Sequence, residues 1–401
     1  MKENSVVVRI FFGLLFFGLF LGDGKQSVVE VFGVACTLVL LVYYVLQNAR
    51  LVELPARVSK AWGVFFLFVF LSTTTSGSIG LSLSWLARLL CGYLVYRIFF
   101  SMATEPVYKT FLSHTLFFVF FVGVMWCASA IFPQFYEALP TMNLIDVRYG
   151  HSHMADLLVF AAPAVAWMLA NEKMSVFVRI AGLVAYVVAT IATRSRGAWA
   201  VILVFIFVRM MQSRYKKTIV IIIFVLTTSI LVYASLFQRA PTKSLYANKT
   251  LSWFDRVIRK PTVFSRVEYW RQSLYALRER PILGSGPGTF SLVSVRLQKG
   301  AGLSSWFAHS APLQAASELG LLGVGSLILL ISTHLAEWRN KRASQKYRWE
   351  QFNTAAWMIL LVLAYSLFEF VLDYFIMWLL VWAGIGLCFG KARSVGHSPR
   401  S

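Results

Sequence analysis

Residues 197–237 read GAWAVILVFIFVRMMQSRYKKTIVIIIFVLTTSILVYASLF: two apolar runs, 197–213 and 218–237, joined by a short basic turn with Arg214, Lys216 and Lys217. Each is close to the roughly 20 residues a helix needs to cross a bilayer core. Working outward, similar runs recur near residues 6–22, 28–47, 61–77, 79–100, 111–132, 155–170, 176–193, 314–333, 353–371 and 374–390. The pattern predicts an all-α polytopic membrane protein with about twelve transmembrane helices. The first run lacks a small-residue cleavage site before its polar flank Gly22-Asp23-Gly24, so it reads as an uncleaved span and not a signal peptide.

Composition agrees. Of 401 residues 58% are hydrophobic and only 14% charged, where a soluble domain carries about 25% charge. A water-soluble globular protein is excluded. The four cysteines (Cys36, Cys91, Cys127, Cys388) lie scattered in apolar runs without C-x-x-C spacing, which supports packing residues over a disulfide framework or zinc site.

Lys and Arg in short loops stay preferentially in the cytoplasm. Such residues recur in alternate loops: Arg50, Arg57 and Lys60; Arg97 and Lys109; Lys173 and Arg179; Arg209, Arg214, Lys216 and Lys217; Arg339, Lys341, Arg342, Lys346 and Arg348. With Lys2 and the tail on that side, both termini are expected to be cytoplasmic. The chain then divides into spans 1 to 9 over residues 1–237, a long outer loop over 238–308, spans 10 to 12 over 309–390, and a cytoplasmic tail over 391–401.

Net charge is +21, which calls for an anionic partner such as lipid or phosphate. Its densest part, 238–308, contains twelve Lys/Arg and three acids, Asp255, Glu268 and Glu279. Long loops can cross regardless of charge, so the expectation is a basic cap that holds a polyanion against the outer membrane face. That side argues against nucleic acid. Arg148, Arg194 and Arg196 sit in other outer loops beside span ends, where charge has to be paired or solvated.

Of six histidines, His151, His153 and His309 fall on the outer side, and His309 stands where the loop re-enters the membrane. Between Ser265 and Arg280, Arg266, Trp270, Leu274 and Leu277 recur at helical intervals, and Pro281 ends the segment. This predicts an amphipathic helix in the headgroup region with Arg266 and Trp270 one turn apart. Gly284-Ser285-Gly286-Pro287-Gly288 follows, a turn whose N–H groups could approach a phosphate. No Walker A pattern or D-x-D pair occurs. The chemistry is therefore expected to run without ATP or metal on an activated, membrane-delivered substrate, with Arg holding charge and His moving a proton.

Three outer stretches together resemble the O-antigen ligase family. Thr193-Arg194-Ser195-Arg196-Gly197-Ala198 is similar to its T-x-[ST]-R segment. Phe264-Ser265-Arg266 to Trp270, followed by Pro281-Ile282-Leu283-Gly284-Ser285-Gly286, resembles its loop Arg and P-x-x-G-x-G. His309-Ser310 running to Glu318-Leu319-Gly320-Leu321-Leu322-Gly323 is similar to its H-[NS] motif and following G-x-x-G helix, with Ser310 where many members have Asn. Arg148-Tyr149-Gly150-His151 is a weaker fourth match.

The resemblance covers roughly residues 146–323. It implies a GT-C-type glycosyltransferase with one long periplasmic loop, in the bacterial inner membrane. The donor would be undecaprenyl-diphosphate-linked O-antigen and the acceptor lipid A-core; no cofactor is implied. Arg196 and Arg266 would stabilise the departing diphosphate, with Arg148 and Arg194 assisting, and His309 would be the general base of an inverting displacement. Glu318, Trp270, Gly284 and Gly286 are further substrate-binding candidates, Glu318 either orienting a cation or satisfying a buried neighbour. A polymerase or a protein O-oligosaccharyltransferase would use the same donor, and a lipid-linked glycan flippase is the reading from another class. The single long loop favours the ligase, and the lack of resemblance between halves disfavours a transporter.

Overall fold

The computed structural model describes residues 2–21, 26–46, 51–131, 151–193, 195–211, 261–299, 303–344, 349–369, 371 and 375–390. The expected span at 218–237, the tail at 391–401, Arg148 and Arg194 lie outside the described residues. Among those described, all regular structure is helical. In chain order the helices are α1 (Lys2–Leu21), α2 (Gln26–Leu46), α3 (Ala56–Thr74), α4 (Ile79–Ser101), α5 (Glu105–Ile131), α6 (His151–Ala170) and α7 (Val176–Ala192). There follow α8 (Arg196–Met211), α9 (Pro261–Glu279), α10 (Phe290–Leu297), α11 (Ala311–Ser344), α12 (Trp349–Tyr365) and α13 (Phe375–Phe389).

Among the described residues five helices are long and apolar enough to cross a membrane: Ala56–Thr74, Ile79–Ser101, Glu105–Trp126, His153–Ala170 and Ala311–Asn340. Five shorter apolar helices, at Ser5–Gly18, Gly33–Leu46, Val176–Ala192, Thr354–Tyr365 and Phe375–Phe389, also coincide with expected runs. Large apolar side chains such as Phe177, Val204 and Ile328 face outward, the surface of a chain whose solvent is lipid. The protein is a polytopic helical membrane bundle.

Helix contact without a water-driven hydrophobic effect relies on close backbone approach and small residues. The pair α4 and α13 shows this: Gly386 on α13 and Gly390 just past its end lie where a Cβ would come within 2.5 Å of the Tyr96 carbonyl and 2.4 Å of the Phe100 carbonyl. On α4, Gly92 leaves room for the Trp378 and Trp382 rings. Elsewhere α3 packs on α11 and α6 on α12. Where α3, α4 and α11 meet, His334 Nε2 lies 3.0 Å from the Tyr96 hydroxyl, among Trp62 and Phe389.

The helix α11 is broken. Gly320 has φ 64 and leaves the helical ladder, and the freed groups are matched by the chain that follows α9. Leu321 N–H donates to Pro281 O at 2.8 Å and Leu322 N–H to Ile282 O at 3.2 Å, while Ser317 and Glu318 carbonyls accept from Ser285 N–H (3.0 Å) and Gly286 N–H (2.9 Å). A Cβ on Gly320 would sit 2.4 Å from Ile282 O, and one on Gly284 2.4 Å from the Glu318 carbonyl. The turn between α3 and α4 grips the same loop: Gly77 N–H donates to Ser285 O, Ser82 Oγ–H to Pro287 O, and Ser72 Oγ–H to Glu318 O.

The cap formed by α9 and α10 corrects the expected amphipathic face. Arg266 and Trp270 do lie one turn apart on α9, but the buried side carries Glu268, Gln272, Ser273 and Ala276, whereas Leu274 is 54% exposed and Val267 and Tyr275 also face out. The helix docks through polar groups because its inner neighbours are backbone groups and a hydroxyl that it partners. Gln272 Nε2–H donates to Leu303 O at 2.9 Å, Ser294 Oγ–H to Gln272 Oε1 at 2.6 Å, and Ser305 N–H to Ser294 Oγ. Arg271 donates to both Glu268 carboxylate oxygens, Nε at 2.7 Å, and to Leu297 O.

Two predictions follow from this packing. Replacing Gly320→Ala forces a side chain into a left-handed residue against backbone, and is expected to destabilise by about 2 kcal/mol or more, read as a lower Tm in detergent. The Arg271 guanidinium holds the Glu268 carboxyl below its ordinary value of 4.5. A carboxyl lowered in the folded state stabilises fully above the ordinary value, and that contribution is lost as pH falls through the folded value. Protection of the α9 and α10 amides against exchange, corrected for the intrinsic rate at each pH, should fall as pH drops below the ordinary carboxyl value, and this pH dependence should flatten in Glu268→Gln.

Candidate active site

Three elements bring the sequence-derived candidates together. The first is α9, whose Arg266 and Tyr269 lie on adjoining positions one turn apart. The second is the segment before α11, where Ala308 is buried and His309 adopts φ 51. A non-glycine residue in the left-handed region is strained, and such strain concentrates at functional positions. The third is the turn after α12. That helix stops at Tyr365, six residues short of the expected end at 371, and turns through Ser366 to Glu369, whose N–H donates to Tyr365 O at 3.0 Å.

That early stop places Glu369 between the two main candidates. Glu369 Oε1 lies 2.5 Å from His309 Nδ1, and Oε2 pairs with Arg266 Nη2. Arg266 Nη1–H also donates to Phe368 O at 3.1 Å. Tyr269 stacks on the His309 ring with centroids 5.7 Å apart. Imidazole, carboxylate and guanidinium thus form one hydrogen-bonded cluster. With Nδ1–H directed at a carboxylate, the neutral ring carries its lone pair at Nε2 and can take a proton there. His309 and Arg266 remain about one-third exposed, while Glu369 is 14% exposed; the carboxylate lies beneath and the reactive groups above.

Arg196 opens α8. The preceding Ser195 Oγ is 3.0 Å from the Tyr365 hydroxyl and accepts from Ala198 N–H at 3.3 Å, and Gly197 faces the Tyr365 ring. The start of α8 therefore abuts the end of α12, one turn from Glu369. A guanidinium at a helix N-terminus faces the positive end of the helix dipole, an arrangement that costs a few tenths to about 1 kcal/mol unless an anion is present. Asp156 on α6 is buried, lies 3.7 Å from His153, and with Glu369 and Arg266 is within electrostatic reach of Tyr365.

The remaining candidates occupy structural positions. Glu318 is buried and accepts from Gly288 N–H at 2.9 Å, Phe290 N–H at 3.1 Å and Gln314 Nε2–H at 2.5 Å; it anchors the glycine loop and the start of α10. Of its two sequence readings, the buried-neighbour one describes these contacts. The N–H groups of Gly284, Ser285, Gly286 and Gly288 all donate to protein oxygens, so this turn packs against α11 in place of the phosphate approach the glycines suggested. Trp270 is half-buried beside Arg266, with its Nε1 enclosed. Among the described residues no group of three or more His, Cys, Asp and Glu has metal-binding geometry.

Sequence reasoning missed Glu369, Tyr365 and Gln314. Glu369 lies in Phe368-Glu369-Phe370-Val371-Leu372, inside what reads as a span. An acid at membrane depth was the available signal, since such residues are costly without a partner.

No curated protein matches the chain. A family model described as O-antigen ligase does match residues 181–328. This segment runs from α7 past the break in α11 and includes Arg196, Arg266, His309, Glu318 and the glycine loop, while Tyr365 and Glu369 lie beyond it. The Arg196, Arg266 and His309 motifs and the interlocked loop and helix break thus fall within one segment that is similar to the O-antigen ligase family, while the Arg148 motif lies before it.

Proposed function

We propose that this protein is an O-antigen ligase. It transfers polysaccharide from undecaprenyl diphosphate to lipid A-core at the periplasmic face of the bacterial inner membrane, by a metal-independent, inverting displacement. The observation that supports this best is the single carboxylate of Glu369 shared by His309 Nδ1 and Arg266. It fixes the base and a diphosphate-binding cation on one rigid point.

The acceptor sugar hydroxyl oxygen attacks the anomeric carbon while its proton passes to His309 Nε2. The bond from that carbon to the diphosphate oxygen breaks, and the electron pair leaves with the polyprenyl diphosphate. Arg266 and Arg196, assisted by Arg148 and Arg194, offset the charge that develops; fixed guanidinium groups do this well where water is excluded. Glu369 stabilises the imidazolium, the part a carboxylate has in other base-orienting pairs. Arg196 at the α8 N-terminus fits this reading because a bound anion removes its repulsion with the helix dipole. In the same reading the chain has about twelve spans in a GT-C-type arrangement with both termini cytoplasmic.

The test is transfer by purified protein in liposomes, with lipid-diphosphate-linked O-antigen and lipid A-core, in EDTA and without ATP. Product on lipid A-core is expected. His309→Ala should lower the rate by about 10² to 10⁴-fold and Arg266→Ala by about 10² to 10³-fold. Glu369→Gln should cost about 10²-fold or more, because an amide can present N–H to Nδ1 and hold the wrong tautomer. Elongated lipid-linked glycan with no core product would make the protein a polymerase, and full activity in His309→Ala would remove its role as base.

A further inference from the structure

The backbone around His309 is clamped on both sides. Ala308 N–H donates to Gln314 Oε1 at 2.7 Å, Gln314 N–H donates to Ser310 O at 2.8 Å, and Ala311 N–H donates to Ser366 O at 2.8 Å. Ser366 begins the turn that carries Glu369. Gln314 is 2% exposed, and its other end donates Nε2–H to Glu318 Oε1 at 2.5 Å. The amide has one consistent orientation, since a backbone N–H can only donate and a carboxylate only accept. Glu318 in turn accepts the N–H groups of Gly288 and Phe290. A continuous chain of hydrogen bonds thus joins the glycine loop to the residue before the candidate base.

We propose that Gln314 is a positioning residue for His309. By holding Ala308 it keeps His309 in its left-handed conformation, from which Nδ1 reaches Glu369, and through Glu318 it couples that conformation to the loop seated in the α11 break. A residue with φ 51 relaxes unless its neighbours over-determine it. Gln314 is the side chain that bonds its amino-terminal neighbour and is itself fixed from behind. The kinetic consequence rests on the proposed transfer reaction; the geometric one does not.

The experiment uses the full-length protein in nanodiscs with four variants: Gln314→Leu, Gln314→Glu, the double exchange Gln314→Glu with Glu318→Gln, and Ser326→Ala as a buried control on the same helix. Gln314→Leu is expected to lower kcat for transfer by about 10²-fold, the scale for misplacing a catalytic group by about 1 Å, with KM for the donor within about two-fold. Gln314→Glu sets two carboxyl groups against each other and should lose activity similarly. The double exchange restores the donor–acceptor pair between 314 and 318 with the ends reversed, but turns an amide N–H toward the Phe290 N–H, so it should recover part of the activity above Gln314→Glu. Independently of activity, the rate at which diethyl pyrocarbonate modifies His309, read by mass spectrometry, should change several-fold in Gln314→Leu and stay unchanged in Ser326→Ala. Wild-type kcat in Gln314→Leu, a loss confined to KM, a double exchange no better than Gln314→Glu, or an unchanged modification rate would each overturn the proposal. If the wild-type protein transfers no glycan, the functional reading fails and the modification rate alone decides this one.

Discussion

The structure depends on a helix that is broken and resealed. In an apolar surrounding an unpaired backbone group costs several kcal/mol, so the break at Gly320 is tolerable only because another stretch of backbone fills it. Pro281 to Gly286 does so, accepting from Leu321 and Leu322 and donating to Ser317 and Glu318. The fit leaves no room for a Cβ on Gly284 or Gly320. Two glycine-bearing motifs about thirty-five residues apart in sequence are therefore halves of one contact. That contact ties the cap helices α9 and α10 to the membrane-embedded bundle.

From that anchor the site is assembled by short links. The loop leads to Glu318, Glu318 to Gln314, and Gln314 to the backbone beside His309. On the other side α9 leaves the loop with Arg266 and Tyr269 facing His309, and the turn after α12 contributes Glu369. Positive charge is organised here, not merely abundant: the Arg266 guanidinium shares a carboxylate with the imidazole, and Arg196 sits at a helix start, where a bound anion would be favoured.

The candidate site does not end where the segment similar to O-antigen ligases ends. Residues 181–328 contain the arginines and histidine, but Glu369 and Tyr365 come from the following helix and its terminal turn. Arg266 has its ion-pair partner in the turn after α12, and Ser195 its hydroxyl partner at the end of α12. Helix α12 and its terminal turn thus belong to the candidate site as well as to the bundle.

Much of this protein could be read directly from its sequence. Runs of about twenty apolar residues have one stable outcome in a bilayer, so helix positions such as 79–101 and 176–192 follow from local composition. The same holds for Arg266 and His309, whose charge and chemistry stand out against that background. Partnership was not legible. Glu369 looked like an acid within a span because the stop at Tyr365 is set by packing, and α9 turned its polar side inward because the groups awaiting it belong to α10 and the loop. The glycines looked like a phosphate turn until the broken helix that uses their N–H groups was in view. Local sequence determines which segments are helical and which residues carry charge, because those energies are short-range. Which groups satisfy one another depends on chain segments brought together from far apart, and only the tertiary structure decided that.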